Sequence, residues 1–158
     1  MAPSFTRRVL LLAGMLAAFG GTARAQAVPE FQQILQAYSA ALDASDVETL
    51  VGLYGSNGVF MGEGARPAVG PDALRAAYKA IFARLKVSLR FTVQEAEQTG
   101  ELGWARALSI GTVKLLASGA ETQEAFDLLV VFRRESGAWK IRNYIYASDK
   151  TTPGEVPK

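Results

Sequence analysis

The chain has 158 residues, with 17 Lys and Arg against 15 Asp and Glu, and contains neither Cys nor His. Without them it has no Ser-His-Asp or Cys-His nucleophilic machinery, no usual zinc site and no disulfide, so acid–base chemistry falls to carboxylates, Tyr or Lys. No EF-hand loop or paired carboxylate motif points to a metal, and no cofactor motif stands out.

The first stretch, MAPSFTRRVLLLAGMLAAFGGTARAQAVPE, places Arg7 and Arg8 before an apolar run from Val9 to Gly20, then the small-x-small site Ala23-Arg24-Ala25. This is the pattern of a cleaved export signal over 1–25, which makes the protein periplasmic or extracellular. The apolar run is short of the roughly 20 residues that span a bilayer, and no Cys follows it to carry a lipid. Arg7-Arg8 resembles a twin-arginine signal, and a dibasic start also suits general secretion. Cleavage removes Arg7, Arg8 and Arg24 and no acidic residue, so 17 basic groups become 14 against 15 acidic. A near-neutral chain carries no basic stripe for nucleic acid. What remains, 26–149 with a polar tail over 150–158, suits a single domain.

Pro29 followed by Phe31, Ile34, Leu35, Tyr38 and Leu42 at helical spacing predicts an amphipathic helix over 29–44. Ser45-Asp46-Val47-Glu48 reads as a capping box for a short second helix through Val47, Leu50, Val51 and Tyr54, closed by Gly55. Asn57-Gly58 then turns the chain into a strand, Val59 to Met61. The glycines of GVFMGEGARPAVGPDALRAAY lack the Gly-Lys-Ser/Thr of a phosphate loop and any βαβ setting, so they read as turn positions. Gly70-Pro71-Asp72 opens a third helix with the stripe Leu74, Tyr78, Ile81 and Leu85.

Beyond it the period changes to two, and Thr99-Gly100, Ser118-Gly119 and Ser136-Gly137 divide four strands at about 87–97, 102–115, 122–134 and 139–148. Three helices and an antiparallel meander make an α+β domain. The second of these strands has one face of small residues, Ala105, Ala107, Ser109 and Gly111, which leaves room for a ligand or for a closely packed helix. The third is apolar on both faces. A patch of Leu108, Ile110, Leu129, Val131, Tyr144 and Tyr146 on the outer face therefore predicts a homodimer.

The runs AYSAALDASDVETLVGLYGSNGVF, AVGPDALRAAY and RRESGAWKIRNYIY, in that order, resemble the nuclear transport factor 2-like superfamily, more narrowly its SnoaL-like branch with the small proteins of enediyne-biosynthesis clusters. The resemblance implies a cystatin-like roll: a cone-shaped, curved antiparallel sheet wrapped around three N-terminal helices, an apolar cavity open at one end, and dimerisation through the outer sheet face. The family spans ketosteroid isomerases, polyketide cyclases, dehydratases and non-catalytic modules, so the fold does not name the chemistry. The Asp base and the Tyr and Asp oxyanion donors of the isomerase have no matching positions here.

Within that frame Glu63, after the early strand, is a candidate general base at the cavity rim, and Glu95, in phase with Leu89, Phe91 and Val93, is a second. Each also reads as an ordinary exposed glutamate. Arg66 could pair with Glu63, and Asp127 with Arg106 or Arg142. Tyr54, Phe60, Met61, Phe91, Ser109 and Asn143 are the expected ligand contacts, Asn143 because it alternates with Trp139, Ile141 and Ile145. The tyrosines of the helix stripes belong in the core, where each buried hydroxyl needs a partner. Three readings follow: an exported homodimer binding a small, mostly apolar organic molecule, a carboxylate-based isomerase, cyclase or dehydratase acting on a carbonyl compound, and a protein-interaction dimer whose cavity is filled by its own side chains.

Overall fold

A computed structural model describes residues 28–148. The predicted export signal over 1–25 and the tail over 150–158 lie outside the described residues. Helix α1 (Pro29–Ala44) and helix α2 (Val47–Leu53) are followed by strand β1 (Tyr54–Met61), the two-residue strand β2 (Ala68–Val69) and helix α3 (Gly70–Phe82). Four long strands complete the domain: β3 (Leu85–Thr99), β4 (Leu102–Leu115), β5 (Glu121–Glu135) and β6 (Ala138–Ser148). The sheet runs β2-β1-β6-β5-β4-β3, curved and unclosed.

Its connectivity corrects one expectation. The meander from β3 to β6 is antiparallel, but β1 lies parallel to β6, so the sheet is mixed. Strand β2, helix α3 and strands β3 to β5 separate β1 from its partner, and a crossover of that length permits the parallel pairing.

The junction between the first two helices also differs from the predicted capping box. Ser45 adopts the left-handed conformation, φ 55, and ends α1 by donating its backbone N–H to Leu42 O at 3.0 Å. It cannot also take the extended backbone of an N-cap. Asp46 takes that role, accepting from the Thr49 amide at 3.0 Å and the Thr49 hydroxyl at 2.6 Å.

Strand β1 starts at Tyr54, five residues before the predicted strand, so Gly55 does not close a helix and Asn57-Gly58 does not turn the chain. The register against β6 slips between Tyr54 and Val59, absorbing the extra residues as a bulge. Gly58 is needed there because a Cβ would come 2.7 Å from the Tyr54 Cβ. Leu85, assigned above to the third helical stripe, is the first residue of β3, because α3 ends at Phe82.

The core lies between the helices and the inner sheet face. Phe31, Leu35, Tyr38 and Leu42 of α1 and Leu74 and Tyr78 of α3 are buried against Val87, Leu89, Phe91, Leu128, Val130, Phe132 and Ile141. On β4, Ala105, Ala107 and Ser109 are fully covered. A Cβ on Gly103 would meet the Phe31 ring at 2.4 Å, so the small face admits a helix side chain at close range. Gly111 plays a similar part against β3: a Cβ would lie 2.0 Å from the Ser88 carbonyl oxygen.

One edge of the sheet is β3, and α1 covers part of it with side chains. Gln32 donates to Phe91 O at 3.0 Å and accepts from the Val93 amide at 2.9 Å, acting as one rung of a missing strand. Such cover removes unpaired backbone groups that would otherwise invite another strand.

Two bulges change which side chains face inward. Between Val93 and Glu95 the β3–β4 register shifts by one, so Ala96 takes the inner face and Glu95 the outer, where it pairs with Arg106 at 3.5 Å. Between β5 and β6, Val131 pairs with Asn143 but Phe132 pairs with Ile141, leaving Arg142 as the extra residue. After it the phase is inverted. Tyr144 is buried and Tyr146 turns inward, while Asn143 and Ile145 turn outward, Ile145 being 42% exposed. Asn143 is therefore not on the cavity side, and Tyr144 and Tyr146 leave the predicted outer patch.

Candidate functional site

A cavity of about 260 Å3 opens between α1, α3 and the inner sheet face at the end where β3 begins and β6 ends. Leu42, Ile81, Leu85, Val87, Leu89, Val113, Phe60 and Phe126 make its walls apolar. The polar lining is four tyrosines, Tyr38, Tyr78, Tyr144 and Tyr146, and one carboxylate, Glu124. A fifth tyrosine, Tyr54, stands behind Tyr78, so all five tyrosines of the chain meet here.

Helical spacing on α1 and α3 brings Tyr38 and Tyr78 to the inner side, and the β6 bulge brings Tyr144 and Tyr146. The Tyr78 hydroxyl bridges that of Tyr38 at 2.6 Å and that of Tyr54 at 2.7 Å. Those two bonds use two of the three hydroxyl protons. The rings pack as well: Tyr38 stacks on Tyr144 with centroids 5.0 Å apart, and Phe60 lies between Tyr78 at 5.2 Å and Tyr144 at 5.7 Å.

Burial raises the hydroxyl pKa of Tyr38, Tyr78 and Tyr144 well above the ordinary tyrosine value, and that of Tyr54 also rises. Mutual repulsion of the ionised forms adds to the rise in Tyr38, Tyr78 and Tyr144. These groups are therefore neutral O–H donors throughout the physiological range. Burial raises Tyr146 too, and the Glu63 carboxylate adds to this against the opposing Glu63 backbone amide.

Glu63 lies at the mouth. It is exposed, its Oε2 accepts from the Ser148 amide at 3.2 Å and from the Ser148 hydroxyl, and it adjoins Tyr146 without lining the cavity itself. Among the other expected contacts Phe60 lines the cavity, and Tyr54 reaches it through Tyr78. Met61 pairs with Ile145 on the outer side, and Phe91 is buried with its ring edge-on to Tyr38. Ser109 is fully buried behind the lining, with no partner for its hydroxyl. Asp127 is exposed on the outer face, and Arg142 donates to Asn57 O.

Sequence reasoning missed Glu124 and the convergence of the tyrosines. Glu124 is in phase with Phe126, Leu128 and Val130, a signal available in the alternation of β5. Tyr144 and Tyr146 were hidden by a bulge that leaves no mark in the local pattern.

The profile of the SnoaL-like domain matches residues 32–146. No curated protein sequence matches the chain. Among solved structures, a ketosteroid isomerase-like protein from Erwinia carotovora atroseptica superposes with a TM-score of 0.73 at 26% identity, covering 78% of this chain and 96% of that one. A protein provisionally named scytalone dehydratase, from Novosphingobium aromaticivorans, gives 0.70 at 15% identity over 82% of this chain and 88% of its own. A nuclear transport factor 2-like protein with a cystatin-like fold from the same species gives 0.61 at 20% identity, covering 78% and 82%. The last two likenesses concern the fold alone.

Proposed function

The chain belongs to the SnoaL-like domain family, and we propose that it is an exported homodimer whose cavity binds a small, mostly apolar organic molecule through an oxygen atom. The observation that carries this reading is the neutral tyrosine cluster at the end of an apolar cavity. Apolar walls favour a ring by area, and the hydroxyl proton not used within the cluster is the donor for a carbonyl, phenol or ether oxygen. A volume of 260 Å3 equals about nine waters at about 30 Å3 each, which suits one ring with a short side chain or two fused rings.

The test is calorimetric or NMR titration of the mature chain with 1-naphthol and cyclohexanone. Saturable binding that weakens in Tyr78→Phe supports the reading, and no binding at millimolar concentration would sink it.

A second reading is acid–base catalysis on a carbonyl compound, of isomerase, cyclase or dehydratase type. Tyrosine donors beside the carbonyl oxygen would stabilise an enolate, and Glu63, set against Tyr146 at the mouth, would move the proton. Solvent deuterium exchange next to the carbonyl of bound cyclohexanone, lost in Glu63→Gln, would support it. Exchange at the uncatalysed rate would leave binding as the function.

The dimer reading uses the outer sheet face in a corrected form. Leu108, Ile110, Leu129 and Val131 remain in it and Ile145 replaces the two tyrosines, with Ile110 54% and Leu129 46% exposed. A patch of that kind on a solitary domain is a liability, and an isologous dimer would cover it. Light scattering at micromolar concentration tests this: a monomeric mass would rule the dimer out. Export is tested separately, by N-terminal sequencing of protein recovered outside the cytoplasm; a chain still starting at Met1 would contradict cleavage.

A further inference from the structure

Resting on the binding reading above, we propose that the cavity selects its occupant by charge, taking a single-ring compound that carries a protonated amine and rejecting carboxylates and phosphates, with Glu124 as the selecting residue.

Among the described residues, Glu124 is the only charged side chain that lines the cavity. It is half-buried on the same face of β5 as Phe126, and Thr122 on that strand donates its hydroxyl to Glu124 Oε1 at 2.8 Å. That bond fixes the carboxylate at the mouth, while no described Lys or Arg forms an ion pair with it. The nearby cations are turned away by strand alternation: Val113 lines the cavity, so Lys114 lies on the opposite face, and Lys86 alternates out between Leu85 and Val87 and donates to Asp43 O. Arg84, beside Leu85, donates its Nε–H to Ala80 O, and among the described residues no Lys or Arg lines the cavity to meet an anionic ligand. The tyrosines are hydrogen-bond donors without charge, so they would serve a neutral oxygen at the inner end equally well for any ligand.

Within the lining the field is set by the Glu124 carboxylate in a partly desolvated place, and the Glu63 carboxylate beside Tyr146 at the mouth adds to it with the same sign. A cation within reach gains an ion pair and an anion meets repulsion, which is discrimination by both attraction and exclusion. Since Glu124 is partly open to water, the expected preference of cation over anion is about tenfold rather than the larger ratio of a fully buried pair.

Three compounds of the same shape separate the charge effect from binding itself: tyramine, tyrosol and 4-hydroxyphenylacetate, cationic, neutral and anionic at neutral pH. Each offers a phenolic oxygen to the tyrosines. Dissociation constants from NMR titration of the mature chain should rank tyramine tightest and 4-hydroxyphenylacetate weakest, about tenfold apart, and the spread should narrow with added salt. In Glu124→Gln, checked for an unchanged fold by circular dichroism, the spread of the three constants should shrink to the small remainder owed to Glu63 at the mouth. Equal binding of all three to the unaltered protein, a preference for the anion, or a spread undiminished in Glu124→Gln would overturn charge selection by Glu124 while leaving the binding reading standing. If none of the three binds and 1-naphthol fails as well, the cavity reading falls and this inference with it.

Discussion

Alkaline pH should unfold this domain through its tyrosines. Tyr38, Tyr54, Tyr78 and Tyr144 are each at most 5% exposed, and burial raises the pKa of all four. In the unfolded chain a tyrosine titrates near 10. Because the folded values lie above the unfolded one, the four contribute fully below about pH 10 and lose that contribution as pH rises toward the folded values. By linkage each unfolded tyrosine draws about 1.4 kcal/mol from stability by about pH 11, so four draw about 6 kcal/mol. A domain of this size has about 5–15 kcal/mol in total, which places cooperative unfolding close to or just above that pH. Ultraviolet absorbance of phenolate and far-ultraviolet circular dichroism, followed together through an alkaline titration, measure it. Phenolate from the four buried rings should appear with the loss of secondary structure. If it grows in near pH 10 while the dichroism stays constant, the rings are reachable by solvent and the reasoning is wrong.

Tyr78→Phe removes the middle hydroxyl of the cluster and leaves two buried hydroxyls short of a partner, so it should destabilise by about 1–3 kcal/mol in urea unfolding, more than Tyr54→Phe. Gly111→Ala drives a methyl against the Ser88 carbonyl oxygen and should cost at least about 2 kcal/mol, or prevent folding; a thermal midpoint equal to that of the parent would contradict the close approach. Gln32→Ala opens the β3 edge and loses two hydrogen bonds, with an expected cost of about 1–3 kcal/mol and faster aggregation on mild heating, read by light scattering. Asp46→Ala removes the α2 cap and should lower the thermal midpoint near neutral pH. The Thr49 bonds lower the Asp46 pKa, so the difference between variant and parent should shrink as acid protonates that carboxylate.

The alternation of β3, β4 and β5 and the helical stripes of α1 and α3 were legible because a half-buried element must repeat with its own period. The predicted limits of β4 coincide with the observed ones, and those of α1 agree as well. The inner and outer faces of β3 and β6 were misread at points where one residue breaks the period. The extra Arg142 exchanges Asn143 for Tyr144 on the inner face, and the shift after Val93 exchanges Glu95 for Ala96. A bulge depends on the partner strand's register, and nothing in the local residues declares it.

The sequence by itself determined that the domain is α+β, which strands are half-buried, and that any acid–base chemistry would have to proceed without His or Cys, since those follow from periodicity and composition. Only the tertiary structure decided that five tyrosines from α1, β1, α3 and β6, separated by up to 108 positions, share one place, and that Glu124 rather than Glu95 borders it. The reason is that convergence belongs to the curvature and register of the sheet. These are set by cooperation among strands and by close approaches such as that at Gly111, not by any one strand alone.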